Sequence, residues 1–275
     1  MYKKLYGEYL LSVSNSLRLR PDVFIAGFQK CGTTSLYNYI IESGQFVPGK
    51  VKENNELAKE RHSINKYLKL FPYKFQAAGK RTLCASHQIG FVPYGASRIK
   101  KYFPEAKVVF IVRNPVARAL SRYEHNQRKI NPIIDKKFPY SFYDLCDIEL
   151  NILNKLENQF DYKEVYEKTS YCNPYGLVLS RGFYYVFIKS FLEVNINVYV
   201  LCLEELENNF EEEMQKLFDY LGVDNYQMPQ MNKYNTNSKG IGIKPSIETM
   251  DLLKSLYKKH NELLFSYIKR KLPWE

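Results

Sequence analysis

Apolar positions along the chain follow two alternating rhythms: short continuous runs, and longer stretches that return once per helical turn. Residues 22–26 (DVFIA) form a run opened by Arg20-Pro21 and closed by Gly27, which predicts a strand buried on both faces. A glycine-containing loop, 27–32, follows it. Residues 33–43 then carry Leu36, Tyr37, Ile40 and Ile41 on one helical face, with Gly44 as the stop. Arg81–Ala85 reads as a weaker strand, 96–103 as a helix ended by Pro104, and Lys107–Val112 (KVVFIV) as the strongest strand of the chain. Helices are expected at 115–128, 141–160, 176–194 and 209–221, with a strand at 197–203 and a terminal amphipathic helix from Pro245-Ser246 to about Lys271. The stretch 225–244, rich in Asn, Gly and Lys, is long enough for a functional loop. Strands separated by helices imply an α/β fold, a mostly parallel sheet flanked by helices, with ligands at the carboxyl ends of the strands. No repeat or linker divides the 275 residues, so a single domain, 1–275, is expected.

Composition narrows this picture only in part. With 45% hydrophobic and 25% charged residues the chain is an ordinary globular one rather than a disordered or fibrous one. No apolar run reaches the roughly 18 to 20 residues of a membrane span, and 1–20 lacks a signal-peptide pattern. Five widely spaced cysteines, Cys31, Cys84, Cys146, Cys172 and Cys202, contain no CxxC pair, so neither zinc nor a disulfide framework is indicated and a reducing, cytoplasmic setting is expected. The charge of +11 favours an anionic ligand.

Two segments carry the chemistry. Gly27-Phe28-Gln29-Lys30-Cys31-Gly32-Thr33-Thr34-Ser35-Leu36 lies between a buried strand and a helix, where backbone N–H groups and a helix N-terminus converge on one anion. Gly27 and Gly32 have the spacing of a nucleotide-binding P-loop, but Thr33 stands where a nucleoside triphosphatase has its lysine, and Lys30 lies inside the loop instead. The strands that would supply a magnesium-holding acid end in Arg113 and Ser86, which disfavours a kinase. The second segment runs from Arg113 to Tyr123. Arg113 at a strand end offers a guanidinium fork and Ser121, two turns into the next helix, a hydroxyl, so the ligand carries phosphates at two separated positions.

Together these segments resemble the sulfotransferases that use 3′-phosphoadenosine 5′-phosphosulfate. Lys30 to Leu36 is similar to their 5′-phosphosulfate loop (KxGTTxL), and Arg113 to Tyr123 to their 3′-phosphate motif (RxPxxRxxSxY). The resemblance extends over about residues 21–272 and is greatest to the carbohydrate enzymes of the heparan sulfate type. Lys52-Glu53 resembles their base-carrying KE, the segment with Arg181 and Tyr184 falls where they place a further nucleotide contact, and Ser238-Lys239-Gly240 resembles the SKG of their late cofactor loop. The chain departs from them at Cys84-Ala85-Ser86, where those enzymes usually carry Glu-Lys, in having Glu56-Leu57 after the KE segment, and in a late loop without their cysteine pair, and their amino-terminal membrane anchor is not expected here.

The resemblance implies a P-loop-kinase-like sulfotransferase fold and in-line transfer of a sulfuryl group to a hydroxyl or amine of a carbohydrate or other small hydroxylated acceptor, acidic ones included, without metal, membrane span or nucleic acid. Lys30, Cys31, Gly32, Thr33, Thr34, Ser35, Arg113, Ser121, Arg181, Tyr184, Ser238, Lys239 and Gly240 are the expected donor contacts, and adenosine 3′,5′-bisphosphate the product. Lys30 suits the charge that develops on the leaving phosphate. Glu53, between Lys50 and Lys52, which favour acidic acceptors, is the expected general base, with His87 as its rival. The competing reading is a non-catalytic polyanion or nucleic-acid binder that keeps the donor cradle.

Overall fold

The computed structural model describes residues 13–129, 140–170, 178–232 and 245–274. The chain runs through β1 (Val23–Gly27), α1 (Thr33–Glu42), β2 (Phe46–Val47), α2 (Ile64–Leu68), β3 (Arg81–Ala85), α3 (Gly95–Tyr102), β4 (Lys107–Val112) and α4 (Pro115–Lys129). It continues through α5 (Phe142–Leu153), α6 (Tyr162–Ser170), α7 (Tyr184–Leu192), β5 (Val198–Cys202), α8 (Leu203–Asn208), α9 (Phe210–Leu221) and α10 (Ile247–Ile268). The five strands form one parallel sheet in the order β2-β3-β1-β4-β5. Every residue of β1 is buried, as a central strand covered on both faces requires.

The order reverses at β1. From there the chain first runs out to the edge strand β2, returns to β3 beside β1, then crosses to β4 and β5, and right-handed crossovers in opposite directions put their connections on opposite faces. The carboxyl end of β1 is therefore the switch point where a crevice opens. In register, Ile25 pairs with Ala85, Gly27 with Phe110, and Val112 with Cys202, so the loops leaving β3, β1 and β4 stand side by side.

Two expected helices have different bounds. The one expected at 141–160 stops at Leu153, and a separate helix, α6, begins at Tyr162. Asp161 is the reason: its carboxylate accepts from the amides of Lys163 and Glu164, while Glu164 reaches back to the amides of Glu157 and Asn158. This Asp-x-x-Glu capping arrangement starts a new helix in the middle of the apolar pattern. The helix expected at 176–194 begins at Tyr184, after a 3-10 turn, Ser180–Gly182. A side chain at Gly182 would stand 2.7 Å from Tyr257 and 3.1 Å from Pro115, so the turn is pressed between α10 and the start of α4. The two-residue β2 and the five-residue α2 are too short for periodicity to reveal.

Candidate active site

The loop after β1 is shaped by two residues with left-handed backbone, Lys30 at φ 71° and Gly32 at φ 91°. A Cβ at Gly32 would lie 2.9 Å from the Leu203 side chain, so both conformation and space demand glycine there. The Phe28 amide donates to the Ile111 carbonyl of β4 at 2.9 Å, and the Cys31 amide closes a turn onto Phe28. Gly32 then opens α1 without any side-chain cap, leaving the first-turn amides of Thr33, Thr34 and Ser35 without intrahelical acceptors. These half-exposed residues form an anion cradle at the positive end of a helix.

Arg113 leaves the end of neighbouring β4, and its Nη1 stands 3.5 Å from the Lys30 carbonyl. The guanidinium thus borders the same crevice as the loop. Asn114 caps α4 by accepting from the amides of Val116 and Ala117, and its own amide donates to Glu204 at 2.8 Å. Ser121 lies half-exposed in α4. Cys31 and Tyr184 face inward: the Tyr184 hydroxyl donates to the Arg113 carbonyl at 2.7 Å and lies 3.6 Å from the Cys31 sulfur. Burial pushes the Cys31 thiol up to about 11. These two residues tie the loop to the Arg113 strand end and present no exposed side chain.

Arg181 donates to Gln29 of the loop at 3.2 Å and stacks over Phe91. It shares a basic cluster with Arg118 and Arg122. Burial and then those two neighbours draw Arg181 down to about 9, and burial with Arg118 draws Arg122 down to about 10. Arg118 is wholly buried, and one of its amino groups donates to the Val178 carbonyl. The turn carrying Arg181 is held by Glu149, a buried carboxylate that accepts from the amides of Val178, Leu179 and Ser180 at 2.7–2.8 Å. Glu149, Gln29 and Glu204 escaped the sequence reading because their partners are 29 to 152 residues away. Ser238, Lys239 and Gly240 lie outside the described residues.

On the other flank of β1, the backbone of Glu53 forms a parallel bridge with Ala85 at the end of β3. The Ser86 hydroxyl donates to Asn55 at 2.6 Å, and buried Asn54 donates to the Tyr67 carbonyl. Segment 53–55 is thereby fixed along the strand end, and the two rival bases meet: His87 Nδ1 lies 3.1 Å from Glu53 Oε2. Lys52 takes the other oxygen at 3.0 Å. The His87 hydrogen bond, ahead of the Lys52 charge, holds the Glu53 carboxyl down at about 2. Burial keeps the His87 imidazole below its usual range, against the pull of Glu53. The arrangement is a carboxylate accepting Nδ1–H from a neutral imidazole, which leaves Nε2 as the nitrogen able to take a proton. Ala85 is buried in the sheet, and the cation beside the carboxylate is Lys52. A pocket of about 360 Å³ opens next to Glu53, lined by Lys66 and Lys69 and by the ion-paired Lys59 and Glu56.

Among the described residues no group of three or more His, Cys, Asp or Glu forms a metal site, and no helix is long and apolar enough to cross a membrane. The family model described as "Sulfotransferase domain" matches residues 20–239. A sulfotransferase from Alicyclobacillus acidocaldarius superposes with a TM-score of 0.67 at 23% identity, covering 92% of this chain and 97% of its own. The mouse sulfotransferase SULT7A1 complexed with PAP superposes at 0.50 with 16% identity, covering 92% of this chain and 90% of its own. No curated protein matches the chain.

Proposed function

The chain belongs to the sulfotransferase domain family, and on that premise we propose that it transfers a sulfuryl group from 3′-phosphoadenosine 5′-phosphosulfate to a hydroxyl or amine of a carbohydrate-type acceptor. The observation that carries this reading is the pairing of an uncapped, glycine-shaped helix start with Arg113 on adjacent strand ends, within 3.5 Å through the Lys30 carbonyl. A ligand with a 5′ and a separate 3′ anionic group fits such a pair, whereas a 5′-nucleotide fills only half of it. The donor supplies an activated sulfuryl group and a phosphate leaving group.

The residues divide the work. Amides of Thr33, Thr34 and Ser35 hold the 5′ end, and Lys30 offsets the negative charge that grows there. Arg113 and Ser121 hold the 3′-phosphate, and Tyr184 fixes Arg113 through its carbonyl. Arg181 and Gln29 brace the loop. The acceptor proton goes to His87 Nε2, with Glu53 orienting the imidazole and stabilising its charged form. A carboxylate held near 2 is too weak a base to act by itself near neutrality. Lys66 and Lys69, which line the pocket beside Glu53 and form no ion pair among the described residues, support an acidic acceptor. Such a proton-accepting pair favours turnover over a bare polyanion-binding role.

Incubation with sulfur-labelled donor and a panel of polysaccharides and small glycans tests the reading. Label on one acceptor class, with one adenosine 3′,5′-bisphosphate released per sulfate, is the expected result. Absence of transfer to every glycan, with transfer to phenols or other hydroxylated compounds, would overturn the carbohydrate assignment.

A further inference from the structure

Away from the donor loop, a cleft of about 950 Å³ opens between α10, the first residues of α4 and the segment 271–274. Its size is within the range of sites that enclose a cofactor- or drug-sized molecule. The floor is apolar, made by Pro115, Val116, Phe265, Leu272 and Trp274. The exposed part of the lining is cationic: Lys254 and Lys258 stand one helical turn apart on α10, and Lys271 joins them from the segment that follows it. Against these three lysines the lining holds one carboxylate, Glu262. None of the three lysines enters an ion pair among the described residues. Trp274 is held in place, its indole N–H donating to Glu204 at 3.1 Å and its ring packed on Phe265 and Tyr184. Neither the residues from Lys30 to Ser35 nor Arg113 and Ser121 line the cleft, whose edge at Asn114 adjoins Arg113 in the chain.

An apolar floor with a lysine rim is complementary to one kind of small molecule, a hydrocarbon or aryl body that ends in a single anion. We infer that this cleft is a second ligand site, for an amphipathic anion carrying a terminal sulfate or carboxylate. Lys254 and Lys258 take the anionic end and the Phe265–Trp274 wall takes the body. The shared chemistry has two sources, a sulfated product or a carboxylate such as a fatty acid, and the two are separable by probe.

Trp274 is the chain's only tryptophan, so its fluorescence reports the cleft directly. Titration with octyl sulfate, octanoate and 1-octanol is expected to give a saturable change in emission for at least one anion, at least about tenfold tighter than for the alcohol. The Lys254→Ser/Lys258→Ser double variant, altered at two exposed positions, should lose that preference while keeping its affinity for adenosine 3′,5′-bisphosphate. Tighter octyl sulfate points to a sulfated source, and tighter octanoate to a carboxylate. No saturable change, equal binding of the alcohol, or a preference that survives the double substitution would overturn the site.

Discussion

Glu53 and His87 share one hydrogen bond, and in the proposed mechanism their opposite protonation preferences decide which of them takes the acceptor's proton. The imidazole is held below its usual 6.5, chiefly by burial, and the carboxyl is held at about 2. Catalysis by His87 therefore needs the neutral ring: activity is full above the depressed imidazole value and falls as pH drops through it. A carboxylate acting alone would keep kcat/KM flat to far lower pH. The pH profile of kcat/KM should accordingly show an acid limb below 6.5, and His87→Ala should lose that limb along with ~10² to 10⁴ of the rate. Glu53→Gln should also cost ~10² or more, because the ring loses its orienting acceptor, while donor affinity stays near wild type. A near-normal Glu53→Gln enzyme would refute the pairing. Both residues were visible in the sequence as rivals. Their partnership was not, because it depends on the bridge between Glu53 and Ala85, which no local spacing encodes.

The strand-loop-helix unit from β1 to α1 shows where local pattern suffices. A buried run, a glycine loop and an amphipathic stretch placed it almost to the residue, because each signal is local. The requirement at Gly32 is more than conformational, since a side chain there meets Leu203, a residue from the far end of the sheet. Gly32→Ala should destabilise the fold by about 1–3 kcal/mol and abolish bisphosphate binding. Gly44→Ala is the comparison: it shares a positive φ, 78°, but has open space around it, so it should cost stability and leave binding intact. Thermal unfolding alongside ligand titration separates the two, and intact binding in Gly32→Ala would contradict the cradle. The helix expected across 141–160 was misjudged because its apolar rhythm continues past Leu153. What breaks it is long-range for a helix pattern: the Glu164 carboxylate takes the amides of Glu157 and Asn158, which a continued helix would need for its own carbonyls.

At the scale of the molecule, the strand order brings three chain-distant segments to one crevice, with the Glu53–His87 pair on the β3 flank and Arg113 on the β4 flank. Alternation of strand and helix was enough to foresee a parallel sheet, but the order of its strands is a matter of long-range pairing. Stability follows from the same burial. His260, buried and stacked at 3.7 Å on Phe183, is held down at about 4, so the unfolded chain takes up protons first as pH falls below 6.5. Unfolding free energy should decline from pH 6.5 toward 4, by at most roughly 1.4 kcal/mol per pH unit from this one group, and His260→Phe should flatten the decline. A slope unchanged in that variant would assign the effect elsewhere. The central claim, that two separated anion sites read one sulfate donor, is tested most directly by calorimetric titration of the protein and its Arg113→Ala variant with adenosine 3′,5′-bisphosphate and with AMP. The account predicts that the bisphosphate binds about ten- to a hundredfold more tightly than AMP, and that Arg113→Ala removes most of this difference while leaving AMP affinity nearly unchanged. Equal affinity for the two nucleotides in the unmodified protein would contradict it.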